Sequence, residues 1–384
     1  MPSVQRLRAV VLLWFAGAAL RLTVLALPAV VALIKDDLSL TATEVGILTG
    51  LPVALFAVAA IPGALVIARL GALSTLLGGL FLTAVASALR AAASDAMALY
   101  TTTTLMGLGI AVMQPALPPL VRHWLGGHVG FGTAVYTNGL LVGETLPVAL
   151  TAPLLPLIDA SWRNSLVLWS LPVLAVGVLV AALAPRSASP SEAPGPWWPD
   201  WRSGLIWRLG LIFGSITSIY FTANGFLPLY LASIGRSDLI ASALTALNFG
   251  QMPASFLLLA CADRLVRRVW PYLLAGIGAL ASVIVLVAAN GVAIVVASGV
   301  LGFCCGAILI LALALPPLLC APEDVARTSA AVFTLSYGCA ILVPIASGRV
   351  WDLTGMPQLA FVPIAGCAVL LLLLAPRIDF RAAE

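Results

Sequence analysis

The sequence predicts an all-α integral membrane protein with twelve transmembrane helices in two six-helix bundles. Three observations carry that expectation. Of 384 residues, 62% are hydrophobic and only 9% charged, against about 25% charged in soluble domains. The apolar runs are unbroken over roughly 20 residues, enough to cross a hydrocarbon core of about 30 Å as a helix. That excludes a β-barrel, whose strands alternate over about ten residues. Finally, Pro185, Pro190, Pro194, Pro196 and Pro199 fall in one short stretch that divides the runs into two sets of six.

The spans run at 9–34, 43–68, 72–92, 96–121, 130–155 and 162–184, then 204–233, 239–262, 270–289, 291–319, 326–348 and 357–376. The links carry turn and charge signals such as Lys35-Asp36-Asp37, Gly126-Gly127-His128 and Pro322-Glu323-Asp324. The organisation expected is a bundle over 1–184, a cytoplasmic proline-rich linker over 185–202 and a second bundle over 203–384. Trp197, Trp198 and Trp201 suit the headgroup level. The first run has no small-residue cleavage site and reads as a retained helix.

Orientation follows from the basic residues. With the N-terminus inside, thirteen Lys and Arg fall on the cytoplasmic side and five outside, the five being Lys35, Arg90, Arg163, Arg236 and Arg349. Both termini are then cytoplasmic and the address is the cell inner membrane. The net charge of +4 resides mostly in loops and implies no nucleic-acid partner. The lipid bilayer is the partner. Cys261, Cys304, Cys305, Cys320, Cys339 and Cys367 lie in apolar segments without metal-ligand spacing; they read as small core hydrophobes. No metal or other cofactor is implied. There is no nucleophile–base set or phosphate loop, so nothing points to an enzyme.

Two charges lie deep in apolar spans. Arg21 comes about twelve residues into the first span, and Glu144 about fourteen into the fifth. At about 1.5 Å per residue both reach the midplane. A guanidinium there costs at least about 2.5–3.5 kcal/mol and cannot shed its proton. It must face a partner, a wet cavity or a ligand. A purely structural Arg21–Glu144 pair is one reading, a solute site the other. The uncharged polar groups come in helical register. Thr103, Gly107 and Gln114 share a face of the fourth span, Thr137 and Glu144 one of the fifth. Tyr220 and Asn224 are four apart, Asn248 and Gln251 three apart, and Thr334 and Tyr337 three apart. Each could be interhelical glue at about 0.6 kcal/mol. Together they favour a solute pathway, with Tyr136 and Asn138 as weaker members. Pro115, Pro118 and Pro119 can kink the fourth span. His123 and His128 read as solvated loop residues.

Internal repetition links the halves. Ile67-Ala68-Arg69-Leu70-Gly71 ends the second span and Ala262-Asp263-Arg264-Leu265-Val266-Arg267-Arg268 the eighth, as in tandem repeats. The whole chain resembles the major facilitator superfamily, whose signature loop is an acidic-Arg turn followed by a basic pair. The second copy keeps Asp263, Arg264, Arg267 and Arg268, while the first keeps Arg69 and Gly71 without an acid. The resemblance implies alternating access, with Arg69, Asp263, Arg264 and Arg268 in gating.

Within that superfamily, several stretches resemble the cyanate and 2-nitroimidazole transporter branch (CynX/NimT). They are Leu20-Arg21-Leu22-Thr23 with Pro28, Gly107-Leu108-Gly109-Ile110-Ala111-Val112-Met113-Gln114-Pro115-Ala116-Leu117-Pro118, Tyr230-Leu231-Ala232-Ser233-Ile234-Gly235 with Leu247-Asn248-Phe249-Gly250-Gln251, and Ser336-Tyr337-Gly338. Leu22 stands where that branch has Pro, and Glu144 where it has a small residue. The resemblance implies a secondary transporter, working as a monomer, for a small polar or anionic solute. Arg21, Gln114, Tyr220, Asn224, Asn248, Gln251 and Tyr337 would bind substrate, and Glu144 would couple a proton. An exporter of lipophilic cations or drugs, or a non-transporting sensor, stays open; the drug:proton antiporter hallmarks are missing and Glu144 alone favours the former.

Overall fold

The computed structural model describes residues 3–40, 42–185 and 197–378. Within them the chain is helical, with no strand. Arg186, Pro190, Pro194 and Pro196 of the expected linker, and Arg381, lie outside the described residues. Eleven helical stretches among the described residues are long and apolar enough to cross a membrane. A twelfth, over Val129–Leu154, is 26 residues long.

The first part of the chain runs through α1 (Ser3–Ala26), α2 (Val31–Asp37), α3 (Ala42–Leu70), α4 (Ala72–Leu89), α5 (Ala96–Met113), α6 (Leu117–Leu125), α7 (Val129–Leu154) and α8 (Trp162–Leu183). The second runs through α9 (Gly204–Ser233), α10 (Ile240–Phe249), α11 (Gln251–Leu265), α12 (Trp270–Ala288), α13 (Val292–Leu313), α14 (Leu315–Leu319), α15 (Val325–Thr354) and α16 (Val362–Leu374). The chain divides into two units, one of residues 1–199 with 321–330, the other of residues 200–320 with 331–384.

More helices than spans are present because four spans are broken. The first is interrupted by a short 3-10 turn, Pro28–Val30. Pro28 has no amide proton to give the preceding turn, so the ladder cannot continue. α1 runs on past Leu22 to Ala26, and the bend falls at Pro28. The fourth span breaks at Gln114–Ala116 before Pro118 and Pro119, as the prolines led one to expect. The eighth breaks at Gly250. The tenth breaks between α13 and α14, where Ala314-Leu315-Pro316-Pro317-Leu318 repeats residues 116–120 of the fourth span. The same five residues thus break one span in each unit.

Helix starts follow local chemistry. Asp95 caps α5 by accepting from the Ala98 amide at 2.8 Å, and Ser161 caps α8 by accepting from the Asn164 amide at 3.3 Å. Gly71 enters α4 at φ 81°, a left-handed backbone that a side chain would strain.

In the first unit α1 lies against α7 and α8, and α5 against α3 and α4. In the second, α13 lies against α10, α11 and α12, and α16 against α9 and α12. The distal end of the first span is clamped: Arg163 reaches Asp37 at 2.6 Å and the Ala93 carbonyl at 3.2 Å, and lies 4.2 Å over the Trp162 ring. Arg90, counted among the five basic residues outside, is completely buried in the turn Arg90–Ala92 that closes α4.

Candidate functional site

The site in the first unit starts from glycines. A Cβ at Gly17 would lie 1.9 Å from the Tyr136 carbonyl oxygen, one at Gly139 2.0 Å from that of Trp14, and one at Gly143 2.3 Å from that of Ala18. Small residues therefore let the α1 and α7 backbones touch, as membrane helices do without a hydrophobic drive between them. Contacts advance together along both helices, so they run parallel. Trp14 Nε1 donates to Asn138 Oδ1 at 2.8 Å, with Asn138 buried. Two turns further along α1, Arg21 Nε meets Glu144 Oε1 at 3.1 Å. The two charges deduced to share a depth do pair.

Their side chains are only 10% and 23% exposed. The Arg21 guanidinium also lies 5.1 Å from the centroid of Phe56, a buried ring on α3. A cation set against a carboxylate oxygen and an aromatic face is oriented, and desolvation strengthens both contacts. Gln114 is buried at the break between α5 and α6. Thr103 and Thr137 are fully buried.

The second unit carries an uncharged centre. Tyr220 Oη donates to Asn248 Oδ1 at 2.6 Å. Asn248 Nδ2 donates to Asn224 Oδ1 and to the Leu244 carbonyl, both at 2.9 Å. Asn224 Nδ2 in turn donates to the Tyr220 carbonyl at 2.9 Å. The one-turn spacing of Tyr220 and Asn224 on α9 thus presents both to a single amide on α10. Gln251 is buried just past the Gly250 break, and Tyr337 on α15 is buried and stacked on Phe333, 6.2 Å between ring centroids. Thr217 and Ser336 join α9 to α15 through hydroxyls 2.8 Å apart.

Because Asn248 makes three of these bonds, Asn248→Leu is expected to cost about 1–2 kcal/mol. Asn248→Asp keeps the bond from Tyr220 but turns its carboxylate toward the Asn224 and Leu244 oxygens and costs more. Apparent melting temperatures check the order; a leucine variant as stable as the wild type would contradict it.

Arg69 ends α3 and Arg264 ends α11, both exposed; Arg268 follows, also exposed, and Asp263 is half-buried. Phe56 and the buried Arg90 escaped the sequence reading. Phe56 is one of 13 phenylalanines and carries no signal of its own. Among the described residues no group of His, Cys, Asp or Glu could hold a metal ion.

The Major Facilitator Superfamily model matches residues 12–344. The chain belongs to the major facilitator superfamily. Membership makes it a multi-pass membrane transporter of small molecules, not an enzyme. Over 351 residues this superfamily member is 28% identical to the 2-nitroimidazole transporter of Escherichia coli K12, covering 89% of this chain and 87% of that one. It is 26% identical to the cyanate transport protein CynX of the same organism, over 58% of each chain. It is also 26% identical to the uncharacterized transporter YycB of Bacillus subtilis 168, over 66% of this chain and 63% of the relative. These matches bear out the resemblance to the cyanate and 2-nitroimidazole branch. The alignments span less than two thirds of YycB and of CynX. Among solved structures, the proton:xylose symporter XylE superposes with TM-score 0.80 at 12% identity, covering 98% of this chain and 96% of that one. At that identity it speaks for the fold alone.

Proposed function

We propose that this transporter carries a small polar or anionic solute, such as a cyanate-like ion, a nitro-heterocycle or a small organic acid, across the inner membrane by alternating access, together with a proton. The observation that carries the reading is the Arg21–Glu144 pair at 3.1 Å. An ionised Glu144 neutralises Arg21 and competes with an anion for it. A proton on Glu144 removes the competitor, and the guanidinium is released for charge-assisted hydrogen bonds to cargo oxygens. Proton and monoanion then load together, leaving the net charge of the site unchanged. Relatives named for cyanate and 2-nitroimidazole support a compact cargo. We assign Gln114, Tyr220, Asn224, Asn248, Gln251 and Tyr337 to hydrogen bonding of that cargo, and Arg69, Asp263, Arg264 and Arg268 to gating. The protein works as a monomer with both termini cytoplasmic.

Thermal stability of the purified protein, scanned with cyanate, formate, 2-nitroimidazole and tetramethylammonium at two pH values, tests the reading. A bound solute stabilises the folded state by mass action. The anions should stabilise the wild type more at the lower pH, and Glu144→Gln should bind them equally at both. Stabilisation by tetramethylammonium alone would overturn the anion reading and favour a cation exporter.

A further inference from the structure

A second arginine in the first unit is buried more deeply than Arg21. Arg90 is 0% exposed. Its Nη2 donates to the Thr23 carbonyl at 2.9 Å and to Ser87 Oγ at 2.7 Å. Nε and Nη1 have no hydrogen-bond partner among the described residues, and no carboxylate pairs with it there. A guanidinium cannot escape burial by losing its proton. An arginine kept in such a place is expensive, so what its used edge holds matters.

That edge holds the end of α1. Thr23 lies in the last turn of the helix, two residues after Arg21 and five before Pro28. The carboxyl end of a helix gathers unsatisfied carbonyls and partial negative charge, and a cation there is favourable. Pro28 ensures that the end comes here, because it cannot donate the next bond. Successive residues turn by about 100° in a helix, so Thr23 and Arg21 leave α1 on nearly opposite sides. Arg90 grips one side while Glu144 meets the other.

We propose that Arg90 is a positioning residue for the Arg21–Glu144 site: its bond to the Thr23 carbonyl fixes the free end of α1, and with it the height of Arg21 against Glu144. The proposal rests on the reading of that pair as the cargo site, but its test uses no cargo, so the two can fail separately.

The test is a double-substitution cycle on the full-length protein, followed by apparent melting temperature without added solute. Arg90→Met should lower the melting temperature in the wild type and by less than half as much in Glu144→Gln, because positioning has no value once the ion pair is gone. Arg90→Lys, which keeps a cation for the carbonyl, should restore at least half of the loss. Hydrogen exchange of the peptide amides over residues 20–31 should rise at least tenfold in Arg90→Met and stay unchanged on α3 and α5. If Arg90→Met does not accumulate, Arg90→Lys takes its place in the same cycle. Equal losses in both backgrounds, or unchanged exchange at the end of α1, would overturn the proposal and leave Arg90 a local packing residue.

Discussion

Glu144→Leu lowers the stability of the protein by about 3 kcal/mol, Arg21→Leu lowers it by less, and the double replacement recovers most of the loss. The order follows from what each survivor can do. With Glu144 gone, the guanidinium of Arg21 stays charged, 10% exposed and without its carboxylate. Its contact with Phe56 offsets only part of that cost. With Arg21 gone, Glu144 can bind a proton and become a neutral acid that is still 23% exposed. With both gone, two leucines fill the space and no charge is left behind. Transport should be lost in all three, since no variant keeps both the cation and the proton carrier. Apparent melting temperatures in one detergent, with solute uptake into proteoliposomes beside them, check the series. Equal losses for the two single variants, summed in the double, would mean that the pair is not a coupled unit.

Arg21 and Glu144 were legible because a membrane makes depth countable. A helix rises by a fixed amount per residue, so two charges twelve and fourteen residues from the same surface lie level. The break at residues 114–116 was legible for a similar reason, since Pro115, Pro118 and Pro119 remove donors whatever surrounds them. The one-turn pair Tyr220 and Asn224 was legible as a face, but not its partner. That Asn248 would be the amide between them depends on how α10 passes α9.

What stayed hidden depends on contacts far apart in the chain. Arg90 follows Leu89 and precedes Ala91-Ala92-Ala93-Ser94-Asp95, so at the end of the 72–92 span it reads as one of the basic residues facing outside. Its true partner, the Thr23 carbonyl, is 67 residues away and belongs to the backbone, which leaves no trace in composition. Two weak signals were present: Ser87 one turn before it, and its place on the side that basic residues avoid. The clamp of Asp37 by Arg163 was hidden likewise. Lys35-Asp36-Asp37 looks like a turn, whereas α2 continues through Asp37 and puts its carboxylate under an arginine 126 residues on.

Gly139→Val should abolish the folded protein, or leave it without a functional site, while Gly78→Ala should be neutral or mildly stabilising. Both replace a helical glycine, and in an isolated helix both would gain, alanine by about 0.5–1 kcal/mol and the β-branched valine by less. Tertiary surroundings reverse the sign at one of them. A Cβ at Gly139 falls 2.0 Å from the Trp14 carbonyl oxygen, and real Cβ atoms essentially never come within 3.0 Å of a neighbour. The obstacle is backbone, so no rotamer change relieves it, and α1 and α7 must part by about 1 Å. Gly17 and Gly143 make the same demand above and below. Separation strips dispersion contacts along the whole seam, because a gap of about 0.5–1 Å already forfeits a quarter to a half of each contact. It also stretches the 3.1 Å ion pair and the 2.8 Å Trp14–Asn138 bond, which cross that seam. At Gly78, on the exposed side of α4, an added Cβ meets nothing within 4 Å. Yield of monodisperse protein and melting temperature for the two variants decide the matter. A Gly139→Val protein that melts like the wild type would show that the α1–α7 seam does not position Arg21.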